Sequence, residues 1–163
     1  VSIHYQPAQL ADLTEIMTIE NQGFTPEEAA SETSMAERIQ VISDTFITAK
    51  DDQGQVLGYI VGPADNARYI NDDLFDHTTP NNPTAAYQTV LSLAVHDDAQ
   101  GKGIASQLLK ELAKVAKAQH RQAITLTCLE RLIPFYERNG YVNAGVAESD
   151  HAGEVWYNLI HSL

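Results

Sequence analysis

The order of apolar and polar positions predicts a chain in which strands and helices alternate. Ile3–Gln6 reads as a short first strand, and Asp12–Gln22 carries Leu13, Ile16 and Met17 at helical spacing behind Asp12 as N-cap. Thr25-Pro26-Glu27-Glu28 has the make-up of a helix start: a capping hydroxyl, proline at the first helical position and acids in the first turn. A second helix is therefore expected from there to about Ser43. Thr45–Lys50 and Val56–Val61 read as strands joined by a hairpin turn over Asp51–Gln55.

Residues 63–85 break the rhythm. They hold Pro63, Pro80, Pro83 and a series of Asn and Asp, with a helical turn expected at Ile70–Phe75. So long an irregular stretch in a compact domain is usually functional or mobile. Ala86–Val95 follows as one long apolar strand. Gly103–His120 is the clearest helix, with Ile104, Leu108, Leu112 and Val115 as its apolar stripe and Lys110, Lys114 and Lys117 off it. Ala123–Cys128 is a strand, Arg131–Asn139 a helix closed by Gly140, and Tyr141–Ala147 a strand. A turn at His151–Glu154 leads into a last strand, Val155–Ile160, where alternation sends one of Trp156 and Tyr157 inward. Without repeats or linkers, residues 1–163 read as a single α/β domain with a mixed sheet.

Composition narrows the classes. The chain is 44 % hydrophobic and 20 % charged, enough to bury a core. No run approaches the ~18 consecutive apolar residues of a membrane span. Val1–Tyr5 lacks the basic-then-apolar order of a secretory leader, and Cys128 is the sole cysteine. These features predict a protein without a membrane partner, at home in a reducing cytoplasm. The net charge of −12 argues against nucleic acid, whose binding requires neutralising phosphates. The charge is uneven: residues 1–98 hold 3 basic and 16 acidic side chains, whereas residues 99–140 hold 7 basic and 3 acidic, net +4. A local positive excess suits an anionic ligand, although the three lysines also fit the solvated face of one helix.

The segment Leu93-Ala94-Val95-His96-Asp97-Asp98-Ala99-Gln100-Gly101-Lys102-Gly103-Ile104-Ala105-Ser106 runs from strand through a glycine turn into a helix. Glycine lets the backbone approach a ligand closely, and the amides that open a helix lack internal partners at its positive dipole end. Together these can cradle a pyrophosphate, with Lys102 adding a charge-assisted contact. The order is not that of a P-loop, and Gly101-x-Gly103 breaks the dinucleotide fingerprint at Ser106. By itself a Gly-x-Gly before a helix also fits a structural tight turn.

Gln100-Gly101-Lys102-Gly103-Ile104-Ala105 resembles the Gln/Arg-x-x-Gly-x-Gly/Ala loop of the GNAT acetyltransferases, with Gln100, Gly103 and Ala105 at the defining positions. Leu93-Ala94-Val95 resembles the strand that pairs with the pantetheine arm in that family. The element order resembles the GNAT order over nearly the whole chain. The resemblance implies an acyl-CoA N-acyltransferase fold, with a mixed central sheet of about six or seven strands flanked by about four helices. It also implies acetyl-CoA as cosubstrate, held by Leu93, Ala94, Val95 and by Gln100 through Ser106. An amide from the strand near Leu93–Val95 would face the thioester carbonyl.

Leu91-Ser92-Leu93-Ala94-Val95-His96 and Leu132-Ile133-Pro134-Phe135-Tyr136-Glu137-Arg138-Asn139-Gly140-Tyr141 further resemble the arylalkylamine (serotonin) N-acetyltransferases. That likeness implies Tyr136 as the general acid for the departing thiolate; a phenol with an ordinary pKa near ~10 is protonated at neutral pH. Phe135 shares a helical face with Leu132, so Phe135 is the natural core residue and Tyr136 points elsewhere. Vertebrate members carry two histidines on the central strand where this chain has Thr89 and Leu91, neither of which can act as a base. Glu20, in the first helix–loop lining the acceptor pocket of related enzymes, is the candidate base; as a helix acid it also fits a solvent-facing position.

The expected activity is direct transfer of an acetyl group from acetyl-CoA to a small primary amine, an arylalkylamine or another, in a ternary complex. A non-catalytic acyl-CoA sensor that binds a partner, and a transferase acting on protein N-termini or lysines, remain open alternatives, as does a homodimer. Cys128 sits mid-strand with no histidine near it, which makes it inert rather than a nucleophile. The six histidines show no ligand spacing, so no metal is expected.

Overall fold

The structure, a computed structural model, describes residues 2–163. Its elements are β1 (His4–Pro7), α1 (Leu13–Gly23), α2 (Glu32–Val41), β2 (Phe46–Lys50), β3 (Val56–Val61), β4 (Ala64–Asp65), β5 (Tyr87–Val90), β6 (Ser92–Val95), α3 (Ile104–Ala118), β7 (Ala123–Leu129), α4 (Ile133–Arg138), β8 (Val142–Val146) and β9 (Trp156–Ser162). The strands form two sheets, β1-β2-β3-β6 and β4-β5-β7-β9-β8. β5 and β7 run parallel, and the other pairs are antiparallel.

The single strand expected over Ala86–Val95 is thus two strands serving different sheets, and the expected one sheet of six or seven becomes nine strands in two sheets. The cause lies opposite, at Gly62-Pro63. Thr89 donates both its N–H and its Oγ1 hydrogen to the Pro63 carbonyl, at 3.0 and 2.6 Å. Gly62 lies so close that an ideal Cβ would stand 2.0 Å from the Thr89 carbonyl oxygen. Proline has no N–H to continue a ladder. The β3 ladder therefore ends with Leu91 N–H on Val61 O, at 2.8 Å, and the chain past Pro63 pairs with β5 instead. The sheets diverge beyond Leu91, so β6 is bonded to β3 on one edge and, among the described residues, to no strand on the other.

α3 covers one face with Ile104, Leu108, Leu109, Leu112 and Ala116, packed against Ile47, Ala49, Ile60, Ile124 and Leu126. Each fully buried leucine contributes about 2 kcal/mol by area transfer. Val115, predicted on this stripe, is only half-buried, and the three lysines are exposed. The opposite cluster joins α1 and α2 through Ile16, Ile19, Met35 and Ile39, with Ile42 just past α2, to Phe46, Tyr59 and Val61.

The second helix starts later than expected. Thr25–Glu28 closes one turn, with Glu28 and Ala29 N–H both on Thr25 O and Thr25 N–H on Glu28 Oε1. The turn does not propagate, because Ala30 N–H donates to Glu20 Oε2 at 2.9 Å. Ser31 then caps α2, its Oγ accepting Ser34 N–H at 3.1 Å.

Candidate active site

Where β6 departs from β7, a groove of about 470 Å³ opens. One wall is Leu93, Ala94, Val95, Gln100, Gly101, Gly103, Ile104, Ala105 and Ser106; the other is Leu129, Arg131, Leu132, Phe135, Tyr136 and Trp156. His96 N–H donates to Leu57 O across the β3–β6 pair. Antiparallel alternation sends the Ala94 amide the same way and leaves Leu93 and Val95 amides on the free edge. Gly101 and Gly103 adopt φ of +78° and +76°, and neither has a heavy atom within 4 Å of where a Cβ would stand. The first bond of α3 runs from Gln107 N–H to Gly103 O at 3.0 Å, so the amides of 104–106 open the helix ahead of it. A free strand edge leading to bare helix amides fits an elongated acyl carrier ending in a diphosphate. Lys102 is exposed and is not on the groove wall.

A second cavity of about 280 Å³ adjoins the groove. Its walls include Glu20, Ser31, Ser34, Arg38, Phe75, Val90, Leu91, Ser92, Cys128, Ser149 and His151. Phe24, Glu28, Leu93, Leu132, Tyr136 and Trp156 border both spaces, so the two meet at the divergence of the sheets.

Tyr136 projects from the short α4 and is 7 % exposed. Its ring meets Phe135 and Tyr141 edge-on, at centroid distances of 5.1 and 5.7 Å. Burial, with the Cys128 thiol adding to it, pushes the Tyr136 phenol well above its ordinary pKa. Such a phenol keeps its proton through the neutral range. Cys128 is 2 % exposed, and burial pushes its thiol up to about 12. It remains a neutral thiol, as its position in the sequence predicts.

Glu20 is not a solvent-facing helix acid; it is 1 % exposed. Oε1 accepts the Tyr59 hydroxyl hydrogen in a short bond, and Oε2 accepts Ala30 N–H at 2.9 Å and Ser92 Oγ–H at 3.3 Å. Burial, then the charge of Glu20, holds the Tyr59 phenol well above its ordinary pKa. Arg38 lies in the same region at 1 % exposure; burial lowers its pKa and the charge of Glu20 opposes that fall.

Thr89, with its hydroxyl spent on Pro63, is part of the strand break, whereas Leu91 borders the second cavity. Sequence reasoning missed Arg38, Ser92, His151 and the lining role of Trp156, whose Nε1–H donates to His151 O at 2.8 Å. Arg38 did leave a signal: it occupies the buried face of α2 between Met35 and Ile39, where an isolated charge is out of place.

The Acetyltransferase (GNAT) domain family matches residues 43–143. The chain belongs to the GNAT acetyltransferase family. It is an acetyl-CoA-dependent N-acetyltransferase, and the groove and cavity flank the divergent strands within or beside the matched segment. No curated protein sequence matches the acetyltransferase. Among solved structures, Ard1 from Thermoplasma volcanium is similar at TM-score 0.77 and 16 % identity, over 100 % of this chain and 99 % of that one. The GNAT-like decarboxylase GphF, in complex with isobutyryl-CoA, is similar at 0.79 and 15 %, over 98 % of each chain. Arabidopsis thaliana Naa50, in complex with the bisubstrate analogue CoA-Ac-MVNAL, is similar at 0.76 and 16 %, over 100 % of each chain. At these identities the likeness is one of fold, shared by a decarboxylase and by a protein solved with a peptide-bearing analogue.

Proposed function

We propose that this acetyltransferase, as one domain over residues 1–163, moves the acetyl group directly to a small primary amine in a ternary complex. Acetyl-CoA supplies an activated thioester. The free edge of Leu93 and Val95 holds the pantetheine arm, and the amides of Gln100–Ser106 hold the diphosphate. A fixed edge amide facing the thioester carbonyl would stabilise developing charge by ~3 kcal/mol. Tyr136 supplies a proton to the departing sulfur, and Glu20 receives the proton of the amine, directly or through one water.

The observation that carries this reading is Tyr136 on the wall common to groove and cavity, with Glu20 deeper in the cavity. The cavity volume is near the lower end of small-ligand sites, about 300 Å³. Residues 28–31, 75–76, 149 and 151 border the cavity, which supports a small acceptor over a peptide. Phe24, Phe75 and Trp156 offer aromatic surface, in keeping with the arylalkylamine resemblance. The test is thiol release from acetyl-CoA with a panel of arylalkylamines, amino acids, polyamines and N-terminal peptides. Turnover of small amines with none of peptides is expected. Turnover confined to peptides, or tight cofactor binding without turnover of any acceptor, would overturn it; the latter would favour a sensor.

A further inference from the structure

We propose that the acceptor cavity contains a carboxylate subsite built on Arg38, and that the natural acceptor is therefore an amino acid rather than a simple amine. This rests on the small-amine reading above and names its substrate class.

Arg38 Nε and Nη1 are buried without a hydrogen-bond partner. Buried polar groups in folded proteins are satisfied with few exceptions, and a buried guanidinium without a counter-ion is costlier still. Among the described residues, the ion pairs involve His4, Lys50, His96 and Lys114, and Arg38 takes part in none. Glu20 and Glu37 are the carboxylates whose charge acts on Arg38, and neither is within ion-pair distance of it. Arg38 therefore brings positive charge to a cavity with room for a ligand, although Nε and Nη1 themselves are enclosed by protein.

The surrounding wall favours an anion. Ser34 lies one helical turn before Arg38 and lines the same cavity, at the N-terminal end of the ten-residue α2. Ser31 Oγ donates to Ser34 Oγ at 3.1 Å, which leaves the Ser34 hydroxyl hydrogen to donate elsewhere. The positive end of the helix dipole adds to this. A guanidinium and a hydroxyl donor match a carboxylate in shape and charge.

Glu20 and Arg38 thus place opposite charges on one small cavity. An amino acid carries the complementary pair, ammonium for Glu20 and carboxylate for Arg38. A decarboxylated amine would satisfy Glu20 and leave the guanidinium bare, and a site built to bond a polar group rejects the analogue lacking it. The amino-acid side chain would lie along Phe75 and His151, whose rings stack at 5.4 Å.

Matched pairs test this: phenylalanine against phenethylamine, tyrosine against tyramine, methionine against 3-(methylthio)propylamine. For the wild-type enzyme kcat/KM is expected to favour the amino acid by at least about tenfold. Arg38→Met should cut the amino-acid value at least about tenfold more than the amine value, and Arg38→Lys should restore part of that difference. Should Arg38→Met fail to fold, the wild-type comparison alone decides. Calorimetry with coenzyme A present, using N-acetylphenylalanine and N-acetylphenethylamine, reads the same subsite without turnover. If neither acceptor class is acetylated but the carboxylate ligand binds more tightly, the small-amine reading falls and the subsite stands. Equal binding, equal turnover within pairs, or equal losses for both classes in Arg38→Met would show that Arg38 only balances Glu20 and would overturn the proposal.

Discussion

Ser92 Oγ stands 3.3 Å from Glu20 Oε2, joining the first residue of β6 to a carboxylate 72 positions earlier in the chain. This bond ties the candidate base to the strand whose next residue, Leu93, borders the groove proposed for the cofactor. Glu20→Gln keeps the shape and removes the proton acceptor. A fall in kcat of about 10²-fold is expected, within the range for a lost general base, with KM for acetyl-CoA little changed. Ser92→Ala should cost less, about 1 kcal/mol of stability, with a modest loss of kcat. Steady-state kinetics over both variants checks this; an unaltered kcat in Glu20→Gln would remove Glu20 from the proton path.

Tyr136→Phe removes the phenolic proton and little else. We expect kcat to drop by about 10²-fold while cofactor affinity, read by calorimetry, stays within about threefold. Because burial and then Cys128 raise the Tyr136 pKa, its ionisation lies above the ordinary phenol range. The wild-type kcat profile should accordingly show no descending limb from this group below about pH 10. A limb near neutrality that vanishes in Tyr136→Phe would contradict that assignment.

Gly103 caps α3 at φ +76° with open space where a side chain would project. Gly103→Val strains a left-handed position by about 1–2 kcal/mol and covers the helix amides with a branched side chain. Weaker binding of coenzyme A by at least about tenfold is expected, with a lesser loss for dephosphorylated, truncated carriers such as acetyl-pantetheine. Equal losses for the full and truncated carriers would show that the turn does not hold the diphosphate.

Alkaline stability follows from the buried thiol. Cys128 ionises at about 12 in the folded protein, against about 8.5 in an unfolded chain. Between those values unfolding releases a proton, so stability is intact below about pH 8.5 and declines as pH rises toward 12. The decline by about pH 10.5 should be on the order of 2 kcal/mol from this group. Buried Tyr59, Tyr136 and Tyr141, all raised, extend it to higher pH. Denaturant titrations across this range should show the slope, and Cys128→Ala should flatten its lower part.

Local signals in the sequence sufficed for some elements and failed for others, for physical reasons. The 100–106 turn was legible because glycine spacing and helix amides act within a few residues. The apolar face of α3 was legible from its period, except at Val115, which is only half-buried. The split of 86–95 was not, because both halves are equally apolar and the cause, Gly62-Pro63, lies about 26 residues away at the Gln88 contact with Gly62 O. The premature start assigned to α2 failed for a similar reason. Thr25-Pro26-Glu27-Glu28 does close a capped turn, but a distant carboxylate takes the Ala30 amide that the next turn needed. Burial of Glu20 and Arg38 likewise depends on α1, α2 and β3 meeting, which no local pattern encodes.

The Ala30 amide bound to Glu20 makes the two walls of the cavity unequal material for redesign. Rebuilding residues 28–31 to admit a different acceptor would unseat the carboxylate proposed as the base, so selectivity and rate should be lost together. His151 reaches the same segment through Glu28 O at 3.3 Å, whereas Phe75 and Ser149 make no hydrogen bond to it among the described residues, and new specificities should be sought at those two first.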